Sequence, residues 1–293
     1  MKTLTVFTPA YNRAYLLPRL YESLCRQTSD DFEWLLIDDG SSDNTKELVD
    51  QWILENKIPI RYICQENQGM HGAHNTAYKN INTVLNTCID SDDYMTDNAV
   101  ELIVQKWNSI DQQKYAGLIG LDALESGEIL GTTFTSDVST LEDFYLNGGR
   151  GDKKLVYRTE IVKKYPDYPL FEGEKYVGLG TKYLLIDKDY ELVTLNEVLV
   201  IVEYQDTGSS RNMFFQYVKN PRGFIYNRIV SMKYSKSKKR KFIEAVHYIS
   251  SSIMVKKLDF LKESPEKLLT VLAIPLGILL NLYIQYKTRS RRI

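Results

Sequence analysis

The sequence predicts an α/β protein with a mostly parallel, Rossmann-like central sheet flanked by helices and a helical C-terminal extension. Three observations carry this. Strand and helix patterns alternate over the first hundred residues, which favours parallel strands joined by right-handed crossovers. Each of the four predicted strands there ends in a cluster of polar residues. Beyond Asn220-Pro221-Arg222-Gly223 the pattern changes to helices with a basic and then apolar composition. The expected division is residues 1–212 and residues 213–293.

Leu4-Thr5-Val6-Phe7-Thr8 predicts a buried strand ended by Pro9, and Leu16, Leu17, Leu20 and Leu24 fall at helical spacing after it. Phe32 to Ile37 is a second strand, stopped by Asp38-Asp39-Gly40-Ser41-Ser42-Asp43, which combines turn chemistry with a helix N-cap. Thr45 to Glu55 predicts a helix, Ile60 to Cys64 a third strand, Ala73 to Lys79 a helix and Val84 to Ile89 a fourth strand. Ala116–Leu121 and Ile129–Phe134 predict two further strands, Lys175–Asp187 a helix and Tyr190–Tyr204 a strand pair. Helices are predicted at Phe224–Tyr234 and Lys241–Leu261, and a last one opens at Pro265.

In open parallel sheets, ligands bind outside the carboxyl ends of the strands. The polar clusters lie there: Pro9, Tyr11 and Asn12; Asp38 and Asp39; Asn67 to Asn75; and Asp90-Ser91-Asp92-Asp93. Three carboxylates within four positions repel one another and call for a cation, and hard divalent ions take carboxylate oxygens while leaving positions open for phosphate. Asp38 or Asp39, as acceptor-only groups, suit a base N–H or a ribose hydroxyl; the same residues also serve as turn formers and caps. Tyr11 is placed to stack on a base or to cap the surface. His71 and His74 read either as phosphate contacts or as solvated loop groups, and His247 as structural.

Composition and motifs exclude several classes. The formal net charge of -1 argues against a general nucleic-acid binder. A dinucleotide fingerprint, a P-loop, an EF-hand loop and zinc-ligand spacing are all missing. Cys25, Cys64 and Cys88 are dispersed, as in a reducing compartment, and Met1 to Val6 reads as a strand start rather than a leader. Lys233–Lys241 and Lys287–Arg292 are strongly basic against an acid-leaning first two hundred residues.

Taken together, Thr5 to Arg13, Ile37 to Thr45, Asn67-Gln68-Gly69 with Ala73-His74-Asn75, and Asp90-Ser91-Asp92-Asp93 resemble the family 2 glycosyltransferases of GT-A fold over about residues 1–205. The resemblance implies an inverting transfer of a sugar from a nucleoside diphosphate donor, a UDP-sugar by default, with Mn²⁺ or Mg²⁺. It implies a nucleotide rim of Pro9, Tyr11, Asp38, Asp39, Asn67, Asn75 and Asp90, with Asp39 at the base and Asp90 at the ribose. Asp92 is the expected metal ligand, with Asp93 beside it. His74 departs from the family pattern, where many members carry Arg.

An inverting transfer needs one general base for the acceptor hydroxyl. Glu174, placed at the start of the predicted helix, best matches the family position of that base, and Glu172 is second. Arg211, in a segment resembling one that closes over the donor, would stabilise the leaving diphosphate. Asn147 to Lys154 reads as a connector or as a loop meeting phosphate or acceptor. The expected acceptor is a growing surface glycan or a lipid-linked glycan. The apolar run Leu268–Ile284 with its basic flank predicts a helix on the membrane surface, at the inner face of the plasma membrane, with burial in the protein or a homodimer contact as alternatives. A nucleotidyltransferase, or a non-catalytic nucleotide- or glycan-binding protein, are the competing functional classes.

Overall fold

A computed structural model describes residues 2–203 and 213–289. The chain forms two compact units, Met1–Pro166 with Asp189–Gln205, and Asp167–Lys188 with Asp206–Ile293. Residues 167–188 thus group with the C-terminal residues by compactness.

The first unit holds β1 (Leu4–Ala10), α1 (Leu17–Cys25), β2 (Phe32–Asp38), α2 (Thr45–Glu55), β3 (Ile60–Cys64), α3 (Met70–Asn80), β4 (Leu85–Cys88), β5 (Tyr94–Met95), α4 (Ala99–Asn108), β6 (Gly117–Ala123), β7 (Val138–Ser139), α5 (Leu141–Leu146), β8 (Lys153–Arg158), α6 (Thr159–Lys164) and β9 (Leu192–Ile201). Nine strands among the described residues form one sheet in the order β3-β2-β1-β4-β8-β6-β9-β5, with β7 also on β9. The strands β1 to β4 pair parallel, and β9 runs parallel to β6. Between them β8 runs antiparallel to both β4 and β6. All seven residues of β1 and of β6 are buried, the pattern of strands covered on both faces. Phe32, Trp34, Leu36, Leu17, Leu20 and Trp52 pack with β1 in one core.

Several expected elements change. Pro9 does not end β1, which stays in register with Ile37 at Pro9 and lets Ala10 accept the Asp39 N–H at 2.8 Å. Ile129–Phe134 is not a strand; only a bridge from Ile129 to Ala123 forms. There Gly131 meets the 150–151 backbone so closely that a Cβ on it would lie 2.0 Å from the Arg150 oxygen. Lys153 locks this closure by donating to Leu130 O (2.7 Å) and Arg150 O (3.0 Å), so this lysine of the 147–154 loop is spent internally. Of the expected strand pair 190–204, the described residues, up to 203, supply one long strand, β9.

The second unit holds α7 (Gly180–Asp187), α8 (Met213–Lys219), α9 (Pro221–Tyr234), α10 (Lys238–Met254), α11 (Phe260–Glu263) and α12 (Lys267–Thr288). The helix expected from Lys175 starts only at Gly180; residues 174–178 carry no regular structure and pack on α9, where Gly223 approaches so near that a Cβ would lie 1.9 Å from Tyr176 O. Likewise α10 stops at Met254, where Lys256 turns left-handed at φ 55° and Lys257 N–H caps Ser252 O at 2.9 Å. Pro275 sits inside α12 without breaking it.

Candidate functional site

The loops after β1, β2 and β3 are latched to one another by side chains from the polar clusters. Asn12 adopts a left-handed φ of 53°, and its side-chain oxygen accepts from Ser42 N (2.7 Å) and Asp43 N (3.3 Å). Its own N–H donates to Ser41 Oγ, while Asp43 accepts the Ala14 N–H at 3.0 Å. This clasp leaves the Tyr11 ring 50% exposed, free to stack, with Pro9 buried beside it.

Asp38 and Asp39 are both buried and do different work. Asp38 accepts the Ser41 N–H at 2.8 Å and the Tyr62 hydroxyl, making it the turn former. Burial, and then this carboxylate, push the Tyr62 hydroxyl pKa up. Asp39 accepts Gln65 Nε2 (2.7 Å) and Gln68 N (2.8 Å) on one oxygen and Gly69 N (2.8 Å) on the other. It therefore fixes the loop after β3, including half-buried Asn67, whose N would lie 3.0 Å from a Cβ on Gly40.

The helix α3 then begins at Met70, three residues earlier than expected, and carries His71, His74 and Asn75 into the interior. His74 lies edge-on to Phe7 at 5.0 Å, with Nδ1 3.3 Å from Tyr78 OH and Nε2 3.6 Å from Cys88 Sγ. Neither histidine is the exposed loop group allowed for by the sequence, as both are almost completely buried.

At the end of β4 the carboxylates separate by burial: Asp90 is exposed, Asp92 intermediate and Asp93 buried. Burial, and next the Asp90 charge, raise the Asp92 pKa. Asp93 accepts the Glu203 N–H at 3.2 Å and donates its own N–H to Asp90 O, so it braces the turn. Its burial pushes it up to about 7, against the pull of Lys154. The Lys154 amine donates to Cys88 O at 3.1 Å. Burial disfavours its charge, but Asp122, Asp93 and Asp90 outweigh that and hold its pKa above the ordinary value. Asp122 on β6 is 3% exposed, its Oδ1 lacks a hydrogen-bond partner, and burial pushes it up to about 6.

Asp122 is the site residue that the sequence alone does not single out; a lone acid inside the apolar run Leu118-Ile119-Gly120-Leu121-Asp122 is the available signal for it. Lys154 belongs to the loop read as a connector or as one meeting phosphate or acceptor, and here its amine faces the acids instead. No group of three or more His, Cys, Asp or Glu side chains that could hold a metal forms among the described residues. The donor set still fits a hard divalent ion: two carboxylates, Asp90 and Asp92, lie open enough to be reached, and the remaining positions would fall to phosphate oxygens.

In the helical unit, the carboxylate of Glu174 caps α9. One oxygen accepts Arg222 N and Nε, each at 3.0 Å, and the other accepts Gly223 N at 2.8 Å. Three donors thus hold this buried carboxylate at the helix N-terminus. This corrects the expectation that Glu174 opens a helix, since the next helix begins only at Gly180. Glu172 is exposed, and the contact it makes with Arg222 uses its backbone carbonyl. Arg211 lies outside the described residues.

Glycosyl transferase family 2 matches residues 5–134. The teichoic acid poly(glycerol phosphate) polymerase of Staphylococcus epidermidis is 31% identical over 38% of this chain and 16% of its own length. The chondroitin synthase of Escherichia coli is 34% identical over 35% of this chain and 15% of its own. A GalNAc(5)-diNAcBac-PP-undecaprenol beta-1,3-glucosyltransferase of Campylobacter jejuni is 31% identical over 56% of this chain and 54% of its own. The chain thus spans about half the length of the last relative and about a sixth of the first two. Among solved structures, S. aureus TarS 1-349 in complex with UDP-GlcNAc superposes with a TM-score of 0.67 at 16% identity, covering 99% of this chain and 92% of that one. Mannosyltransferase PcManGT from Pyrobaculum calidifontis, in complex with GDP-Man and Mn2+, gives 0.56 at 14% identity over 98% and 75%. These likenesses show a shared fold, the one the strand-end motifs imply.

Proposed function

Because residues 5–134 belong to the family 2 glycosyl transferases, we propose that the protein moves a sugar from a nucleoside diphosphate donor, a UDP-sugar, to a hydroxyl of a bacterial surface glycan or lipid-linked glycan. The observation that carries this is the rim itself. The loops after β1, β2 and β3 are interlocked through Asn12 and Asp39, which holds the exposed Tyr11 ring in place, and the turn after β4 that carries two reachable carboxylates is braced by Asp93. Relatives named for teichoic acid, chondroitin and undecaprenol-linked glycans support the acceptor class. Neighbours crystallised with UDP-GlcNAc or with GDP-Man and Mn2+ support a nucleotide-sugar donor and a divalent metal.

Tyr11 stacks on the base. Asp39, an acceptor-only group at the end of β2, meets a base N–H. Asp90 and Asp92 hold a Mn²⁺ or Mg²⁺ ion, which when bound neutralises charge on the departing diphosphate. Asp93, tied to Glu203 N through its carboxylate and to Asp90 O through its N–H, braces the turn that carries Asp90 and Asp92. Glu172, whose carboxylate is open, takes the proton from the acceptor hydroxyl in a single inverting displacement. The three cysteines are free, which accords with work in the cytoplasm.

The test is donor hydrolysis and transfer across UDP-, GDP- and dTDP-sugars with and without Mn²⁺. A UDP-sugar should turn over only with the metal, and Asp92→Ala should lower the rate by about 10²–10³-fold. Metal-independent turnover together with full activity of Asp92→Ala would overturn the reading.

A further inference from the structure

The last helix is arranged in the reverse of the usual amphipathic sense. Its inward stripe is Thr270, Ala273, Gly277, Asn281, Ile284 and Thr288, mostly small or polar, at spacings of three and four. This stripe packs on α10 so closely that a Cβ on Gly277 would lie 2.6 Å from Ile249 Cβ, and Asn281 Nδ2 donates to Ser250 O at 3.0 Å. The large apolar side chains point outward: Leu268 is 73% exposed, Leu272 60%, Leu279 61%, Leu282 58% and Tyr286 71%. Only 28% of the most apolar stretch of this helix is buried, so it is not a core helix. A helix meant to face water would turn these residues inward. Small residues inside with bulky apolar ones outside is the arrangement of helices whose outer face meets lipid.

Charge identifies the surface. Residues 213–293 carry 17 Lys and Arg against 4 Asp and Glu, in a chain whose net charge is -1. Lys267 and Lys287 mark the two ends of α12. We propose that the outer face of α12 docks on an anionic lipid bilayer, with the helix lying in the plane of the membrane surface. Lipid contacts one side only, because α10, packed on the other, bears Lys238 to Lys241 and Glu244, the last paired with Arg228 of α9 at 2.7 Å. A spanning helix would drag those charges into hydrocarbon. A second copy is the less fitting occupant, since two such cationic units would repel across a shared face. The inference stands independently of the donor reading.

The test uses the full chain and vesicles of phosphatidylcholine alone or mixed with phosphatidylglycerol. Sedimentation should carry the protein down with the anionic vesicles and not the neutral ones, and high salt should release it. The variant Leu272→Glu/Leu279→Glu/Leu282→Glu changes exposed positions only; it should lose vesicle binding at least about tenfold and keep its melting temperature and donor hydrolysis. Failure of the unaltered protein to bind anionic vesicles, or undiminished binding by the variant, overturns the proposal. So does a dimer by light scattering that Leu279→Glu alone splits, or resistance to alkaline carbonate extraction, which would mark a spanning helix.

Discussion

In the sheet unit, Trp34, Leu35, Leu36 and Ile37 are wholly buried and the charged groups gather at strand ends; in α12, Thr270 and Asn281 are buried while Leu268 and Leu279 face outward. The same residue types occupy opposite sides of the surface. The sheet unit removes its apolar area from water by folding on itself, whereas α12 satisfies close packing with small residues and leaves its apolar area for an external phase. Acids divide along a similar line. Around the rim, Asp90 and Asp92 remain reachable; in the helical unit, Glu174 disappears into a helix cap and leaves Glu172 open.

The acid contrast offers the largest expected effect. Glu172→Gln should cut turnover by about 10²–10⁴-fold with an unchanged melting curve. An active Glu172→Gln enzyme would break the assignment of the base. The burial contrast comes next: Trp34→Ala should cost about 3–5 kcal/mol of unfolding free energy, while Leu279→Ala stays within about 0.5 kcal/mol. Denaturant melts of both would show whether α12 is as outward-facing in solution as its exposure implies. Glu174→Ala should remove about 2–3 kcal/mol from the helical unit, a loss Glu172→Ala does not share.

The smallest effect is a pH dependence of the metal-free protein. Burial pushes Asp93 up to about 7 and Asp122 up to about 6 in the folded state, against an ordinary value of 3.8. The folded state therefore holds their protons more tightly, and their contribution is complete below about pH 4 and declines as pH rises toward 7. Melting temperature should fall over that window, and Asp122→Asn should flatten the slope; an unchanged slope would remove Asp122 from the cluster.

Much of this was legible beforehand. The alternation of apolar runs placed β1 to β4, and the polar clusters after them located the rim, because strand ends and turns have local residue requirements. What misled was also local. Lys175 to Asp187 has helical composition, yet its first residues stay out of the helix where Tyr176 packs on Gly223 and Glu174 caps α9. Ile129–Phe134 has strand composition, yet Gly131 and the 150–151 backbone close on each other before a ladder can form.

The sequence by itself determined the order of elements, the four strand-end clusters and the concentration of positive charge after residue 212, since each depends on neighbours a few positions apart. Only the tertiary structure decided which acids remain free. Asp38, Asp39, Asp93 and Glu174 meet donors from 3 to 110 positions away, and those donors convert candidate ligands into braces. The tertiary structure also decided which face of α12 is covered, because the close approach of Gly277 to Ile249 turns the small residues inward and leaves the leucines outside.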